Sequence, residues 1–209
     1  RNARLVGVRD ATMTLDRLRP YTGVMLRPLI AVCRWAGITP NAFSVASFLA
    51  AFLAGFAFYA QQIPLAVALV GVNALFDALD GALARALMVD GKKGDFLDHV
   101  IDRYADIFII TGIFAGGAAP WEIGIFALTG VLMASYLGTQ AQAVGVGRYY
   151  GGILGRADRL VLILIAGVLD VLIPAGVFGL PYLGWLLIFF GILGHATAAQ
   201  RFIYVIRRI

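Results

Sequence analysis

The sequence predicts an all-α integral membrane protein: six transmembrane helices in one bundle, preceded by an amphipathic interfacial helix. Three observations predict it. Hydrophobic residues make up 61% of the chain and charged residues 14%, far from the balance of soluble domains. Apolar runs fall at 42–60, 64–84, 95–115, 121–145, 159–173 and 182–203, each near the ~20 residues a spanning helix needs, the fifth being short. The lysines and arginines are also segregated. They cluster before the first run, around the second-to-third and fourth-to-fifth connections and at the end of the chain, and are missing from the alternate connections near 61–64, 116–122 and 174–182. Positive residues stay on the cytoplasmic side, so both termini are expected there. The basic excess, 17 against 12, is thus a topology signal and not a nucleic-acid footprint.

Taken in order, residues 1–40 read as a polar leader and a juxtamembrane helix, and residues 41–209 as the membrane domain. The first 12 residues carry no assigned role, Met13 is an alternative start, and no cleavable signal peptide is apparent. From Leu15 to Gly37, apolar Leu18, Leu26, Leu29, Ile30 and Val32 alternate with Arg17, Arg19, Arg27 and Arg34. Such a basic amphipathic segment beside a span lies in the headgroup plane, a solvated connecting helix being the plainer reading. Gly37 ends it, and Thr39 or Asn41 caps the first span. Cys33 is the sole cysteine, so no intrachain disulfide exists.

The second and third runs are joined by a short connection with an Asp90-Gly91 turn signal, which predicts an antiparallel hairpin. Here lies the chemistry. Asp77 stands eight residues before Arg85 and Asp102 eight after Gly94, so both sit roughly 12 Å along their helices from the loop. Asp77 and Asp80 are i,i+3, Asp98 and Asp102 i,i+4, and each pair shares a helix face. A charged aspartate inside a spanning helix costs about 2.5–3.5 kcal/mol on insertion scales, so four of them need a reason. Caps or ion pairs with Arg85, Arg103, Lys92 and Lys93 explain any one aspartate, and Asp90 and Asp95 read that way. Four at paired spacing read as a metal site. All-oxygen ligands select hard ions, Mg²⁺, Mn²⁺ or Ca²⁺, and four carboxylates suffice for two metals of the kind that serve phosphoryl transfer. Gly81 and Gly94 leave room beside them for a phosphorylated ligand. Asp106 is open to three readings: a supporting group, a partner of Arg103, or part of a proton path. His99 reads as a polar helix residue rather than a ligand.

These residues resemble, position by position, the signature of the CDP-alcohol phosphotransferase family: D-x-x-D-G-x-x-A-R, eight residues, then G-x-x-x-D-x-x-x-D. The resemblance implies transfer of a phospho-alcohol from a CDP-lipid to a hydroxyl with release of CMP. It further implies a Mg²⁺ or Mn²⁺ requirement with two ions per site, a homodimer, and an active site on the cytoplasmic face of the cell membrane. By the same resemblance Asp77, Asp80, Asp98 and Asp102 are metal ligands and Asp102 is the general base. Gly81, Arg85 and Gly94 flank the donor, as does the Pro40-Asn41-Ala42-Phe43 segment. Relatives that carry Ser or Thr in the loop use it on the donor; this chain has Gly91 there, which offers backbone alone. The connection from Gly145 to Arg159 sets Arg148, Arg156 and Arg159 among glycines, a pocket for an acceptor phosphate or simply a positive-inside loop paired with Asp158. Together with the Ser135 to Gln142 stretch it is similar to the archaeal archaetidylinositol-phosphate synthases of that family. That similarity implies inositol 1-phosphate as acceptor and CDP-archaeol as donor, with CDP-diacylglycerol as the other donor and glycerol 3-phosphate as the other acceptor. A transporter with relay carboxylates is the rival class, but the central halves of the first, fourth and sixth runs lack Asp and Glu.

Overall fold

A computed structural model describes residues 26–88, 91–149 and 151–209. The leader, Met13, the first part of the amphipathic segment and Asp90 of the turn lie outside the described residues. Seven helices and no sheet make up the described chain: α1 (Arg27–Trp35), α2 (Pro40–Tyr59), α3 (Ile63–Leu87), α4 (Lys92–Ala115), α5 (Trp121–Ala143), α6 (Arg156–Leu172) and α7 (Tyr182–Ile206). Four of them, α2, α3, α5 and α7, are long and apolar enough to cross a membrane. The other two expected spans fall short for identifiable reasons. The stretch of α4 from Lys92 to Asp106 carries Lys92, Lys93, Asp95, Asp98, Asp102, Arg103 and Asp106, and α6 has 17 residues.

Local rules place the helix ends. Pro28 and Pro40 sit in the first turns of α1 and α2, where a missing N–H costs nothing. Helix α1 stops at Gly37, whose φ of +66° closes a turn in which Ile38 N–H reaches the Cys33 carbonyl at 3.0 Å and Gly37 N–H the Arg34 carbonyl at 3.2 Å. Thr39 occupies the cap position of α2 without a side-chain cap bond, so the expected hydroxyl or amide cap is not used. The start of α7 is held from outside: Asp170 accepts from the Tyr182 and Leu183 amides at 2.6 and 3.0 Å.

Packing differs from the expected hairpin in one respect that matters for function. Helices α3 and α4 are joined by a short turn, yet they are not packed along their lengths. Helix α2 lies against both, α6 covers another side of α3, and α5 another side of α4. The proximity of two helix ends does not bring their flanks together when a third helix wedges between them. That third helix is slim where it matters. Ala50, Ala51, Ala54, Gly55 and Ala57 are among its buried residues, and Gly55 meets the backbone of α4 at Phe108 and Gly112. Small residues let two helices approach to backbone contact, the usual means of association in lipid. Phe58, Ile109, Ile110, Ile113, Leu187 and Phe190 fill the core beyond.

Candidate active site

The gap between α3 and α4 is where the acidic residues meet. Asp77 from α3 and Asp98 and Asp102 from α4 each bring one carboxylate oxygen within 4.8 Å of the other two. The matched distance of Asp77 and Asp102 from the turn is visible in their shared partner. Nη1 of Arg156, from the first turn of α6, stands 2.7 Å from Asp77 Oδ1 and 2.9 Å from Asp102 Oδ1. Both Asp102 and Arg156 are largely sheltered, with side chains 15% and 13% exposed. Asp80 stands outside that trio. The Ser44 hydroxyl of α2 donates to its Oδ2, while the charges of Asp77 and Asp98 still act on it.

A second layer fixes the helices that carry these groups. Asn73, fully buried one turn from Asp77, donates to the Ser47 carbonyl at 2.9 Å and to its hydroxyl at 2.8 Å, tying α3 to α2. Deeper along α4, Asp106 accepts from Arg159 at 2.7 Å and pairs with Arg103 at 3.3 Å, anchoring the start of α6 against α4. Of the three readings open for Asp106, the geometry selects ion pairing, with Arg159 nearer than Arg103. At the outer rim Arg148 grips Asp95 through two bonds of 2.9 Å, and His99 Nδ1 lies 2.9 Å from the Asp95 carbonyl. Asp158 accepts from the Gly155 amide at 3.0 Å as a helix cap and is not the partner of the loop arginines. The three arginines expected to share an acceptor pocket therefore have no partner in common: Arg148 sits on Asp95, Arg159 on Asp106, and Arg156 on Asp77 and Asp102. Of these three, Arg156 alone touches the aspartate trio.

The expected donor-side residues fall at the start of α2, the end of α3 and the start of α4. Pro40 begins α2, Asn41 and Ala42 are exposed behind it, and Phe43 packs its ring 5.7 Å from that of Phe76. Arg85 folds back over Gly81, where an added Cβ would lie 3.2 Å from its Nη1. A Cβ at Gly94 would meet nothing within 4 Å, and Gly91 is the exposed cap residue of α4.

Sequence reasoning passed over Ser44, the Ser47–Asn73 clasp and Arg201. Ser44 and Ser47 had a signal, two hydroxyls at i,i+3 in an otherwise apolar run. Arg201 had none. It holds the 144–155 loop from α7, donating to the Gly151 carbonyl at 2.9 Å and to the Ala134 carbonyl at 2.5 Å.

The donor set suits a hard divalent cation. It is all oxygen, it gathers the carboxylates of Asp77, Asp98 and Asp102, and the buried Asp102 Oδ1 accepts no well-formed hydrogen bond. An anionic cleft of this kind accepts a phosphorylated ligand when cations bridge it, and a carboxylate beside that bridge is placed to take a proton from a hydroxyl.

Comparison with known proteins agrees. Residues 37–197 match the model of the CDP-alcohol phosphatidyltransferase family. The archaetidylinositol phosphate synthase of Pyrococcus horikoshii is 37% identical over 172 residues, 82% of this chain and 91% of that protein. The enzyme of the same name from Methanothermobacter thermautotrophicus is 31% identical over 93% of this chain and 95% of its own length. Among solved structures, the phosphatidylinositol phosphate synthase of Mycobacterium tuberculosis is similar in fold. The form with CDP-DAG bound has a TM-score of 0.72 at 22% identity, covering 89% of this chain and 94% of that one. The form in complex with manganese and citrate has a TM-score of 0.73 at 24% identity, covering 85% and 87%.

Proposed function

The chain belongs to the CDP-alcohol phosphatidyltransferase family and is a phosphotransferase, and from that premise we propose its reaction: a lipid phosphate passes from a CDP-lipid to a hydroxyl of inositol 1-phosphate, releasing CMP. The convergence of Asp77, Asp98 and Asp102 carries this reading. Asp80, one turn from Asp77 on α3, is the fourth member of the set. Held by these four residues, two Mg²⁺ or Mn²⁺ ions would supply the positive charge that offsets the donor diphosphate and the departing CMP. The manganese in the Mycobacterium tuberculosis structure supports that choice of ion.

The chain's own groups do the rest. Asp102 takes the proton of the acceptor hydroxyl as that oxygen bonds to the β-phosphorus. The bond from the β-phosphorus to the bridging oxygen breaks, and its electron pair leaves with CMP. Gly81, Gly91 and Gly94 keep the donor's path clear, Arg85 faces its diphosphate, and residues 40–43 border its nucleotide. Arg156 receives the acceptor phosphate; its Nε and Nη2 have no hydrogen-bond partner, which supports that role. Arg148 and Arg159 flank it, each committed to a carboxylate. Inositol phosphate is favoured over other acceptors by the names of the two archaeal relatives. Six helices in the bilayer, α4 and α6 included, with both termini and the cleft on the cytoplasmic face and a homodimer as the working unit, complete the proposal.

The test is an acceptor panel. The full chain in detergent, with Mn²⁺ or Mg²⁺ and either CDP-archaeol or CDP-diacylglycerol, is assayed for CMP with inositol 1-phosphate, glycerol 3-phosphate, serine and free inositol. Inositol 1-phosphate is expected to support turnover, and Asp102→Asn to lower kcat by about 10²–10⁴ while donor binding persists. CMP release with glycerol 3-phosphate alone would overturn the acceptor, and an Asp102→Asn enzyme at the wild-type rate would overturn the base.

A further inference from the structure

Outside the acidic cleft the molecule has a second place where charge collects. Arg27, Ile30, Ala31 and Arg34 of α1 and Ala82, Arg85 and Ala86 of α3 line a cavity of about 350 Å³. Positions 27, 30, 31 and 34 follow helical spacing, so both arginines of α1 lie on the face turned to α3. The basic residues of the cleft are all paired: Arg103 and Arg159 with Asp106, Arg148 with Asp95, Arg156 with Asp77 and Asp102. Among the described residues, Arg27, Arg34 and Arg85 have no carboxylate partner. Three guanidinium groups around one cavity with no counter-anion repel one another, and an anion held between them removes that cost.

The cavity is separate from the reaction centre. At 100° per residue, Ala82 and Ala86 stand about 140° and 180° round α3 from Asp77. The cavity therefore opens on the flank of α3 away from the carboxylates, with Arg85 between the two sites. Its lining also restricts the occupant. Four of the seven residues are apolar, which fits an esterified phosphate with carbon beside it better than a fully hydrated ion. The opposite side of α1 presents exposed Leu29 and Val32, and Trp35 at its end is 89% exposed. A helix so divided rests its apolar side in the lipid and keeps its basic side at headgroup level.

We propose that the cavity between α1 and the end of α3 binds the phosphate of an anionic membrane lipid, at a site distinct from that of the CDP-lipid donor. The bound lipid pins α1 to α3 and shares Arg85 with the neighbouring cleft. This reading requires α1 to lie at the membrane surface, but not any particular acceptor.

The experiment reads binding, not turnover, so its failure is separable from failure of the proposed reaction. Full-length protein in neutral detergent, without CDP-lipid or acceptor, is titrated with dioctanoyl phosphatidylglycerol, dioctanoyl phosphatidylcholine or inorganic phosphate, and affinity is read from the rise in Tm and by native mass spectrometry. Phosphatidylglycerol is expected to bind and stabilise, and the other two not. A basic residue near an anionic lipid is worth about a fivefold change in affinity, so Arg27→Gln with Arg34→Gln should weaken phosphatidylglycerol binding about thirtyfold. The Arg27→Lys, Arg34→Lys pair keeps the charge and should bind within about fivefold of wild type. Unchanged binding in the glutamine pair would overturn the site. An equal response to inorganic phosphate would overturn the lipid as its occupant.

Discussion

Replacing Gly112 by alanine tests whether the contact between α2 and α4 sets the width of the acidic cleft. A Cβ at Gly112 would lie 2.1 Å from the Gly55 carbonyl oxygen and 2.7 Å from the Gly55 Cα. The obstacle is backbone, which cannot rotate away, so α4 must retreat from α2 by about 1 Å or more. Alanine is itself worth about 1 kcal/mol over glycine inside a helix, and overpacking costs about 1–3 kcal/mol, so a net loss is expected only if the contact is as close as the structure has it. The displacement also carries Asp98 and Asp102 away from Asp77, since α2 is the element that packs against both carriers. Gly71→Ala is the control: its Cβ would meet only Leu164 Cδ2 at 3.9 Å, so the helix gain is unopposed. Thermal unfolding in detergent and a Mn²⁺ titration of CMP release read the two effects. Gly112→Ala should lower Tm and raise the Mn²⁺ concentration for half-maximal rate, whereas Gly71→Ala should leave the titration unchanged and Tm equal or higher. A Gly112→Ala protein with wild-type Tm and wild-type metal dependence would refute the reasoning.

Three further outcomes follow from the same geometry. Ser44→Ala frees the Asp80 carboxylate that its hydroxyl holds, so the Mn²⁺ needed for half-maximal CMP release should rise about tenfold or more, with Ser44→Thr near wild type. Arg159→Met strips the buried Asp106 of its 2.7 Å partner, leaving Arg103 at 3.3 Å, and should cost about 1.5–3 kcal/mol, read as a fall in Tm; adding Asp106→Asn should recover part of it, because the under-paired charge is gone. Gly94→Leu should leave Tm unchanged, since nothing lies within 4 Å of the new Cβ, yet raise KM for the CDP-lipid; an unaltered KM would remove Gly94 from the donor path.

Much of this site is legible in the sequence because helical spacing is a ruler. Positions three and four apart share a face, and equal counts from a turn give equal depth, which is why Asp77 and Asp102 meet the same arginine nitrogen. Partner choice is less legible. Asp95 to Arg148 and Asp106 to Arg159 each span 53 residues, and no local rule says which of several arginines will arrive. The same holds for Arg156, whose entry into the trio depends on where α6 starts relative to α4. The separation of α3 and α4 is also hidden, because the length of a connection constrains the ends of two helices and not their flanks. Ser44 shows the reverse case. Its polarity in an apolar run is visible in the sequence, but its partner is 36 residues away on another helix.

Because the two acidic helices lean on a common neighbour and not on each other, they are coupled through third parties. A substitution where α4 meets α5 disturbs Asp98 and Asp102, whereas one where α3 meets α6 reaches both helices, since Arg156 of α6 bridges Asp77 and Asp102. Alterations in α2 reach both carriers at once and combine non-additively with either. The sequence of that uncharged helix is therefore where epistasis in this enzyme should concentrate.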